Sequence, residues 1–204
     1  MHLLNVETIR LEEFFDNSIP SHTILSHTCG EDEVIFGDFD PFFGLRRKSI
    51  KIDGCCAQAL KDGYQYVWID TCSIDKSSSA ELSEAINWMF AWYEKAEVCY
   101  VYLSDVLSDQ FGLLDERSGF TIPRWFIRGW TLQELLVPRE LVFYNTSWNL
   151  MGHVTKRRRP KQCKRGGSLD DELSDITGIP EDYIDGHNLL CLCSNQTRSR
   201  WLIE

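Results

Sequence analysis

The chain has 204 residues, 43% of them hydrophobic and 25% charged, which is the composition of a globular protein large enough for one domain with an appendage. No apolar run approaches the roughly 20 residues needed to span a bilayer, and the start lacks the long apolar stretch of a signal peptide, so we expect a soluble protein that is not exported. The net charge of −10 predicts repulsion of nucleic acid and anionic membranes, so we expect neither as a partner.

Short runs rich in β-branched and aromatic residues alternate with helical periodicity in the first half of the chain. Strands are predicted at residues 22–27, 66–69 and 98–103, where these residue types cluster. Helices are predicted between them, at residues 50–61 and 80–93, where apolar residues recur at helical spacing. A strand, a helix and a strand in that order form a right-handed crossover with parallel strands.

The helix at residues 80–93 has the clearest pattern in the chain. Ser78 and Glu81 have the spacing of a capping box, in which the two side chains bind backbone N–H groups of the first turn. One face is apolar, so we expect it to be buried, with Glu84 and Glu94 near solvent. The residues of that face are Leu82, Ala85, Ile86, Met89, Phe90 and Tyr93.

The alternation continues downstream. A helix at residues 129–137 is ended by Pro138, which cannot continue a helix, and a strand follows at 141–144. Four strands alternating with three helices predict an α/β fold, in which helices cover both faces of a mainly parallel sheet. Two long loop insertions interrupt the alternation, at residues 36–47 and 104–123.

The character of the sequence changes after residue 150. We therefore predict a domain at residues 1–150 and, at 151–204, a basic linker with a C-terminal extension; the alternative is that residues 151–204 are a truncated part of the same domain. Seven of the 21 basic residues lie within residues 156–165. A solvated, mobile loop explains this segment better than a localisation signal or a nucleic-acid arm, and its deletion should leave the fold intact. A short helix is predicted at 170–176, ended by Gly178.

The cysteines and histidines indicate no metal site. The eight cysteines lack the spacing of a small secreted disulfide framework, so we expect reduced thiols and a cytoplasmic location. His187, Cys191 and Cys193 have ligand chemistry but no second cysteine pair at zinc-site spacing. Cys72 and His27 both follow predicted strands, which leaves a Cys/His hydrolase as an alternative. No glycine-rich phosphate loop supports a dehydrogenase or a P-loop protein.

Four segments carry a resemblance to a known family: residues 23–30 (TILSHTCG), 67–75 (VWIDTCSID), 92–96 (WYEKA) and 128–135 (RGWTLQEL). Their order and spacing resemble the heterokaryon-incompatibility (HET) domain of fungi, over about residues 1–150. The resemblance implies a role in self/non-self recognition and in programmed cell death after fusion of unlike fungal cells.

The HET domain in turn resembles Toll/interleukin-1 receptor (TIR) domains. Residues 25–32 (LSHTCGED) are similar to the first strand and loop of the plant TIR domains. Residues 130–135 (WTLQEL) are similar to a TIR segment whose glutamate is catalytic in members that cleave NAD. The resemblance therefore implies a TIR-like (flavodoxin-like) sheet and places the catalytic role on Glu134.

A glutamate suits this chemistry, because breaking the ribosyl–nicotinamide bond builds positive charge on the sugar, which a fixed carboxylate stabilises. Ligands of open parallel sheets bind beyond the carboxyl ends of the strands. We expect Glu134 to flank a buried helical stripe, with Trp130 and Leu135 facing inwards, and to lie near the loops at that edge. NAD would be the substrate, with no cofactor and no metal. The expected substrate-binding residues are His27, Thr28, Gly30, Asp70, Cys72 and Trp130.

These residues also have structural interpretations. Glu134 lies in the first turns of a helix, where the macrodipole favours acidic residues by about 0.3 to 1 kcal/mol. Asp70 ends a strand, as a cap or turn residue does, and Trp68 and Trp130 suit either the core or a crevice rim on which nicotinamide or adenine stacks. Two hypotheses follow. One is an effector that hydrolyses NAD when clustered, and the other is a non-enzymatic module that assembles with itself, with other HET or TIR-like proteins or with receptors.

Overall fold

The computed structural model describes residues 1–15, 18–30, 33–40, 43–45, 47–107, 113, 122–156 and 168–186. The chain divides into unit 1 (Met1–Tyr100) and unit 2 (Val101–Glu204). The strands are β1 (His2–Asn5), β2 (Arg10–Glu13), β3 (Thr23–His27), β4 (Phe39–Asp40), β5 (Gly44–Leu45), β6 (Tyr66–Ile69), β7 (Cys99–Tyr102), β8 (Glu140–Tyr144) and β9 (Leu150–Thr155). The helices are α1 (Ile50–Lys61), α2 (Asp70–Ser73), α3 (Ser79–Lys95), α4 (Thr131–Leu136), α5 (Asp170–Thr177) and α6 (Glu181–Ile184).

Seven strands form one sheet in the order β2-β1-β6-β3-β7-β8-β9, and β4 and β5 form a separate hairpin. Strand β3 pairs with β6 in parallel, with Ile24 opposite Trp68. Strand β1 is antiparallel to both β2 and β6, and β8 is antiparallel to β9. The predicted α/β fold is therefore confirmed, and the four predicted strands are consecutive in the sheet, as β6-β3-β7-β8. The likeness to TIR domains stays a prediction.

Strands β3 and β6 lie in the core of unit 1. Their central residues are fully buried or nearly so, and such continuous apolar runs are typical of parallel strands covered on both faces. Helix α1 begins at Ser49, whose hydroxyl accepts the N–H of Ile52 at 3.4 Å. Its apolar face adds four residues to the core, which are Ile52, Cys55, Cys56 and Ala59.

Helix α3 begins where the sequence predicts. The hydroxyl of Ser78 accepts the N–H of Glu81 at 3.3 Å, which is one half of the predicted capping box. The Glu81 carboxylate accepts the N–H of Asp75 at 3.0 Å and so binds the turn that leads into the helix. Both bonds stabilise the start of the helix at the predicted place.

The predicted buried face of α3 is partly wrong. Ile86 and Phe90 are 47% and 49% exposed, whereas Glu84 and Glu94 are exposed as predicted. The face that packs inwards is narrower than the apolar face of the sequence, and Ile86 lies about 100° round the helix from buried Ala85. The buried and half-buried residues of this narrower stripe are Leu82, Ala85, Met89, Trp92 and Tyr93.

Several short elements were not predicted from the sequence. Strands β1 and β2 have four residues each, and α2 has four, which is too few for a helical or strand period to show. Pairing identifies the strands instead, with Leu3 opposite Glu12. Helix α4 begins at Thr131, two residues later than predicted, and ends just before Val137 and the proline that follows it.

A tight turn joins β8 to β9 in unit 2. The side-chain oxygen of Asn145 accepts the N–H groups of Ser147 and Asn149, each at 3.0 Å. Trp148 has a φ of 58°, a left-handed conformation that is unfavourable for a bulky residue. Its ring stacks on Tyr102 with 5.2 Å between ring centroids, and this contact offsets part of the backbone strain. The domain boundary predicted at residue 150 falls at the first residue of β9, and that boundary stays a prediction.

Lys156 is buried, contrary to the predicted exposure of residues 156–165. Its ammonium group donates to the carbonyl of Ile184, and its exposed fraction is 5%. Burial lowers the pKa of Lys156 to about 8, although Asp170 and Asp185 act in the opposite direction. Lys156 directly follows the last residue of β9, so its hydrogen bond connects this strand to the end of α6.

Other predictions fall partly outside the described residues. Helix α5 confirms the predicted short helix, and Gly178 follows it in a left-handed conformation with a φ of 67°. Residues 157–165, most of 104–123, and 187–193 with their histidine and cysteines lie outside the described residues. Within the described part of the chain, no helix has the length and apolar character needed to cross a membrane.

Candidate functional site

The parallel pairing of β3 with β6 brings the residues that follow these strands to one edge of unit 1. His27 is the last residue of β3, and Asp70 follows β6 directly as the first residue of α2. Because Leu25 pairs with Ile69 in this register, the two side chains are close, with His27 Nδ1 3.9 Å from Asp70 Oδ1. This is the carboxyl edge, at which open α/β sheets bind ligands.

Charged side chains converge at this edge, and we name the group the carboxyl-edge cluster. Its members are His27, Glu33, Lys51, Asp70 and Lys76. Glu33 lies between several donors: its Oε2 is 3.3 Å from His27 Nε2, and its Oε1 accepts the Gly30 N–H at 2.8 Å and the Lys51 ammonium. Lys51 also donates to the carbonyl of Thr28 at 2.9 Å, which fixes the loop after β3 against α1.

The electrostatics of the cluster centre on Glu33. Burial raises the pKa of its carboxyl, but hydrogen bonds with His27, Lys51 and Gly30 outweigh that effect and lower the pKa to about 2. Glu33 is therefore a carboxylate at neutral pH. Because a carboxylate only accepts hydrogen bonds, His27 Nε2 must carry the proton between them. The His27 side chain is 1% exposed, so this pair is shielded from water on the histidine side.

Two longer cations extend the cluster towards solvent. Lys76 Nζ lies 3.6 Å from Asp70 Oδ2, and the lysine side chain is 45% exposed. Arg47 donates to the carbonyl of Glu33 and, at 3.3 Å, to Asp38 Oδ2. Exposed pairs of this kind contribute about 0–1 kcal/mol each to stability. The buried part of the cluster therefore determines its geometry.

The other predicted site residues of unit 1 have different surroundings. Thr28 is 4% exposed and offers its carbonyl to Lys51, and Gly30 offers its N–H to Glu33. Cys72 is fully buried, and burial together with the charge of Asp70 raises the pKa of its thiol well above the ordinary value. A buried, protonated thiol is a poor nucleophile, so the Cys/His hydrolase alternative loses its nucleophile.

Trp130 and Glu134 lie at the start of α4 in unit 2. Trp130 precedes the helix and is 47% exposed, so the prediction that it faces inwards is wrong, while Leu135 is 1% exposed as predicted. Glu134 itself is 7% exposed, so it is more deeply buried than the flank position predicted for it. Trp130 is the N-cap residue of α4, one position before the six helical residues. Whether Glu134 lies near the predicted loops of unit 1 stays a prediction.

Glu33, Lys51 and Lys76 were not predicted as site residues. Glu33 follows His27 by six positions in a loop without periodicity, so nothing local relates the two. Lys51 is the second residue of α1, where the helix macrodipole disfavours a cation. That unfavourable placement is the signal from which Lys51 could have been found. Among the described residues, no group of His, Cys, Asp and Glu side chains has the arrangement of a metal site.

Comparison with known proteins identifies the family. Residues 23–121 match the family described as heterokaryon incompatibility protein (HET). The chain is also 40% identical, over 177 residues, to the vegetative incompatibility protein HET-E-1 of Podospora anserina. The chain contains a HET domain. The alignment with the Podospora protein covers 84% of this chain but 12% of that relative, so the chain spans a small part of the relative's length.

The carboxyl-edge cluster lies within the region that matches the HET family. All members of the carboxyl-edge cluster lie within residues 23–121, and Glu134 lies beyond them. The matched region begins at Thr23, the first residue of β3. No solved structure is significantly similar to this HET domain. The parallel strands that carry the cluster are therefore part of the HET family match itself.

Proposed function

We propose that this HET domain is a cell-death effector of fungal self/non-self recognition that cleaves NAD between nicotinamide and ribose. The similarity to a vegetative incompatibility protein supports the biological role. The carboxyl-edge cluster is the observation that carries the ligand-binding part, and the resemblance of residues 130–135 to a TIR segment supports the catalytic part. A largely buried group of charged side chains lies at the edge where α/β sheets bind ligands, and perturbed carboxyl groups such as Glu33 are typical of functional sites.

We assign the chemistry to Glu134. In the reaction, the bond between ribose C1′ and the nicotinamide nitrogen breaks, and its electron pair remains on that nitrogen. Water then adds to C1′ and loses a proton. Positive charge develops on the ribose, and a carboxylate stabilises it. Glu134 is 7% exposed, and a shielded carboxylate acts more strongly than a solvated one because less water screens its charge.

We assign ligand binding in unit 1 to Asp70 and to the loop that follows β3. Asp70, whose side chain is 28% exposed, can accept hydrogen bonds from ribose hydroxyl groups, and the loop of His27, Thr28 and Gly30 adjoins it. In unit 2, Trp130 is 47% exposed, and its ring is one on which nicotinamide or adenine can stack. Cys72 contributes to the packing of unit 1 and not to ligand contacts, because its side chain is buried.

NAD consumption tests the proposal. The domain is fused to an inducible oligomerisation module, and NAD cleavage is measured for the wild-type sequence, for Glu134→Gln and for Glu84→Gln, which removes one charge from an exposed position of α3. Glu134→Gln should reduce cleavage by about a hundredfold or more and end toxicity in a fungal host, with the melting temperature nearly unchanged. Glu84→Gln should keep both. Cleavage that survives in Glu134→Gln would overturn the assignment.

The alternative function is assembly without chemistry. Two apolar side chains on one side of α3 favour it, because Ile86 and Phe90 are about half exposed and add little to the core. This alternative expects association with other copies, with related domains or with receptors. It also expects no NAD consumption by any of the three proteins and full toxicity for Glu134→Gln. The same experiment therefore separates the two functions.

A further inference from the structure

The Glu33 carboxylate lies at a point where three hydrogen-bond donors converge. The donors belong to three parts of unit 1: the end of β3 (His27), the loop that follows it (Gly30) and the first turn of α1 (Lys51). We infer that these donors form an anion-binding cradle for a phosphate group and that Glu33 is its internal occupant, which a phosphate group displaces on binding.

The donors are held in place by contacts of their own. His27 is nearly inaccessible in the core, with 1% of its side chain exposed. Lys51 is fixed by a second hydrogen bond, to the carbonyl of Thr28 at 2.9 Å. Gly30 points its N–H at Glu33 Oε1 from 2.8 Å. The cradle is therefore preformed, and the removal of the Glu33 charge would leave its donors directed at the same point.

The donor set matches the chemistry of a phosphate group. Lysine binds phosphate as a point charge, and backbone N–H groups of turns and loops form concavities that bind anions. Lys51 is the second residue of the 12-residue helix α1, and Ser49 caps that helix. A Cβ atom added at Gly30 would lie 3.7 Å from Glu33 Oε1 and 3.9 Å from Lys51 Nζ, so the loop backbone lies directly against the anion position. Phosphate oxygens can thus accept from the same three donors.

The lowered pKa of Glu33 indicates how strongly the cradle favours an anion. Burial raises the pKa of this carboxyl, yet the three donors lower it to about 2. The same attraction opposes the release of Glu33, so a phosphate group competes with a tethered carboxylate. Asp70 faces His27 from the other side, and Lys76 offsets its charge. Wild-type protein should therefore bind phosphate groups weakly, and neutral Glu33 variants should bind them more tightly.

The inference rests on the proposed function only for the identity of the natural ligand, because NAD carries two phosphate groups. The cradle does not require that NAD be cleaved. Inorganic pyrophosphate contains neither ribose nor nicotinamide, so its binding tests the cradle independently of Glu134.

The experiment is a calorimetric titration with inorganic pyrophosphate at constant ionic strength, applied to the wild-type protein, Glu33→Ala and Glu33→Gln. Both variants should bind about tenfold more tightly than wild type or better, because the charge that competes with the phosphate group is gone. Adding Lys51→Met to Glu33→Ala should cancel the gain by removing a donor. The matched control is Glu84→Ala, which removes the same charge from the surface of α3 and should change the affinity by less than about twofold.

Two further measurements keep the result interpretable. Circular dichroism verifies that each variant is folded, and Glu33→Gln preserves side-chain volume if Glu33→Ala does not fold. In the wild-type protein, the NMR resonance of the Gly30 amide should shift at high pyrophosphate concentration, and Lys51→Met should prevent the shift. An unmoved Gly30 resonance, no gain in a folded Glu33 variant, an equal gain in Glu84→Ala or a gain that survives Lys51→Met would overturn the inference. NAD cleavage dependent on Glu134 would still leave the proposed function standing.

Discussion

The substitution Glu33→Gln tests the electrostatics of the carboxyl-edge cluster directly. It keeps the size of the side chain and an acceptor for the Gly30 N–H, and it removes the charge that faces His27 and Lys51. The pKa of Glu33 is lower in the folded chain than in the unfolded one, whose ordinary value is 4.5. The stabilisation by the charge is therefore present above pH 4.5 and is lost as the pH falls through about 2.

The magnitude follows from the pKa shift and from exposure. A shift from 4.5 to about 2 corresponds to about 3 kcal/mol of unfolding free energy. The Glu33 side chain is 15% exposed and that of Lys51 is 19% exposed, so water screens part of the interaction. We therefore expect Glu33→Gln to lower the unfolding free energy at pH 7 by about 1–2 kcal/mol. For a chain of this length, that lowers the melting temperature by about 2–8 °C.

Thermal unfolding followed by circular dichroism provides the measurement. The difference in melting temperature between wild type and Glu33→Gln should be constant above about pH 5 and should shrink towards zero near pH 2. Glu84→Gln removes one charge from an exposed position and should shift the melting temperature by less than about 1 °C. A difference that does not depend on pH, or an equal effect of Glu84→Gln, would refute the reasoning.

Three further substitutions test the packing within each unit, two in unit 2 and one in unit 1. The pKa of Lys156 is about 8 in the folded chain and 10.5 in the unfolded chain. The unfolding free energy of wild type relative to Lys156→Met should therefore rise by up to about 3 kcal/mol between these pH values. Urea unfolding at pH 7.5 and 9.5 should show this rise, and a fall would contradict the prediction. Gly152→Ala places a Cβ atom 2.5 Å from Leu169 Cγ. In the same assay it should lower the unfolding free energy by about 1–3 kcal/mol. An unchanged unfolding free energy would show that the leucine side chain moves away without cost. Ile86→Ser should change it by less than about 0.5 kcal/mol because the side chain is 47% exposed, and a loss above about 2 kcal/mol would mean that Ile86 is buried.

The sequence was informative wherever a pattern repeats over a short stretch. The apolar runs of β3 and β6 and the periodicity of α1 identify these elements within one or two residues of their ends. His27 and Asp70 could be predicted as site residues because each follows a strand, and parallel strands share one carboxyl edge. Their charged neighbours could not, because contact between a loop and the first turn of a helix leaves no local period.

Burial at the edge of a pattern was the commonest error. The apolar face that the sequence of α3 predicts is wider than the face that is buried in the structure. Ile86 and Phe90 are therefore about half exposed although their spacing is helical. Lys156 belongs to a basic run in the sequence, yet it is buried where its ammonium meets the Ile184 carbonyl. The partner that buries Lys156 is 28 positions away along the chain.

The sequence by itself determined the central elements of this HET domain, its family and two residues of its site. Backbone periodicity and helix capping involve residues that are close along the chain, so both can be predicted from the sequence alone. Only the tertiary structure decided that Glu33 fills the space between His27, Gly30 and Lys51. That arrangement depends on which distant segments come into contact when the sheet forms. Lys51 and Glu33 are 18 positions apart, so their contact requires the chain between them to close into a loop, and no local sequence pattern shows such a contact.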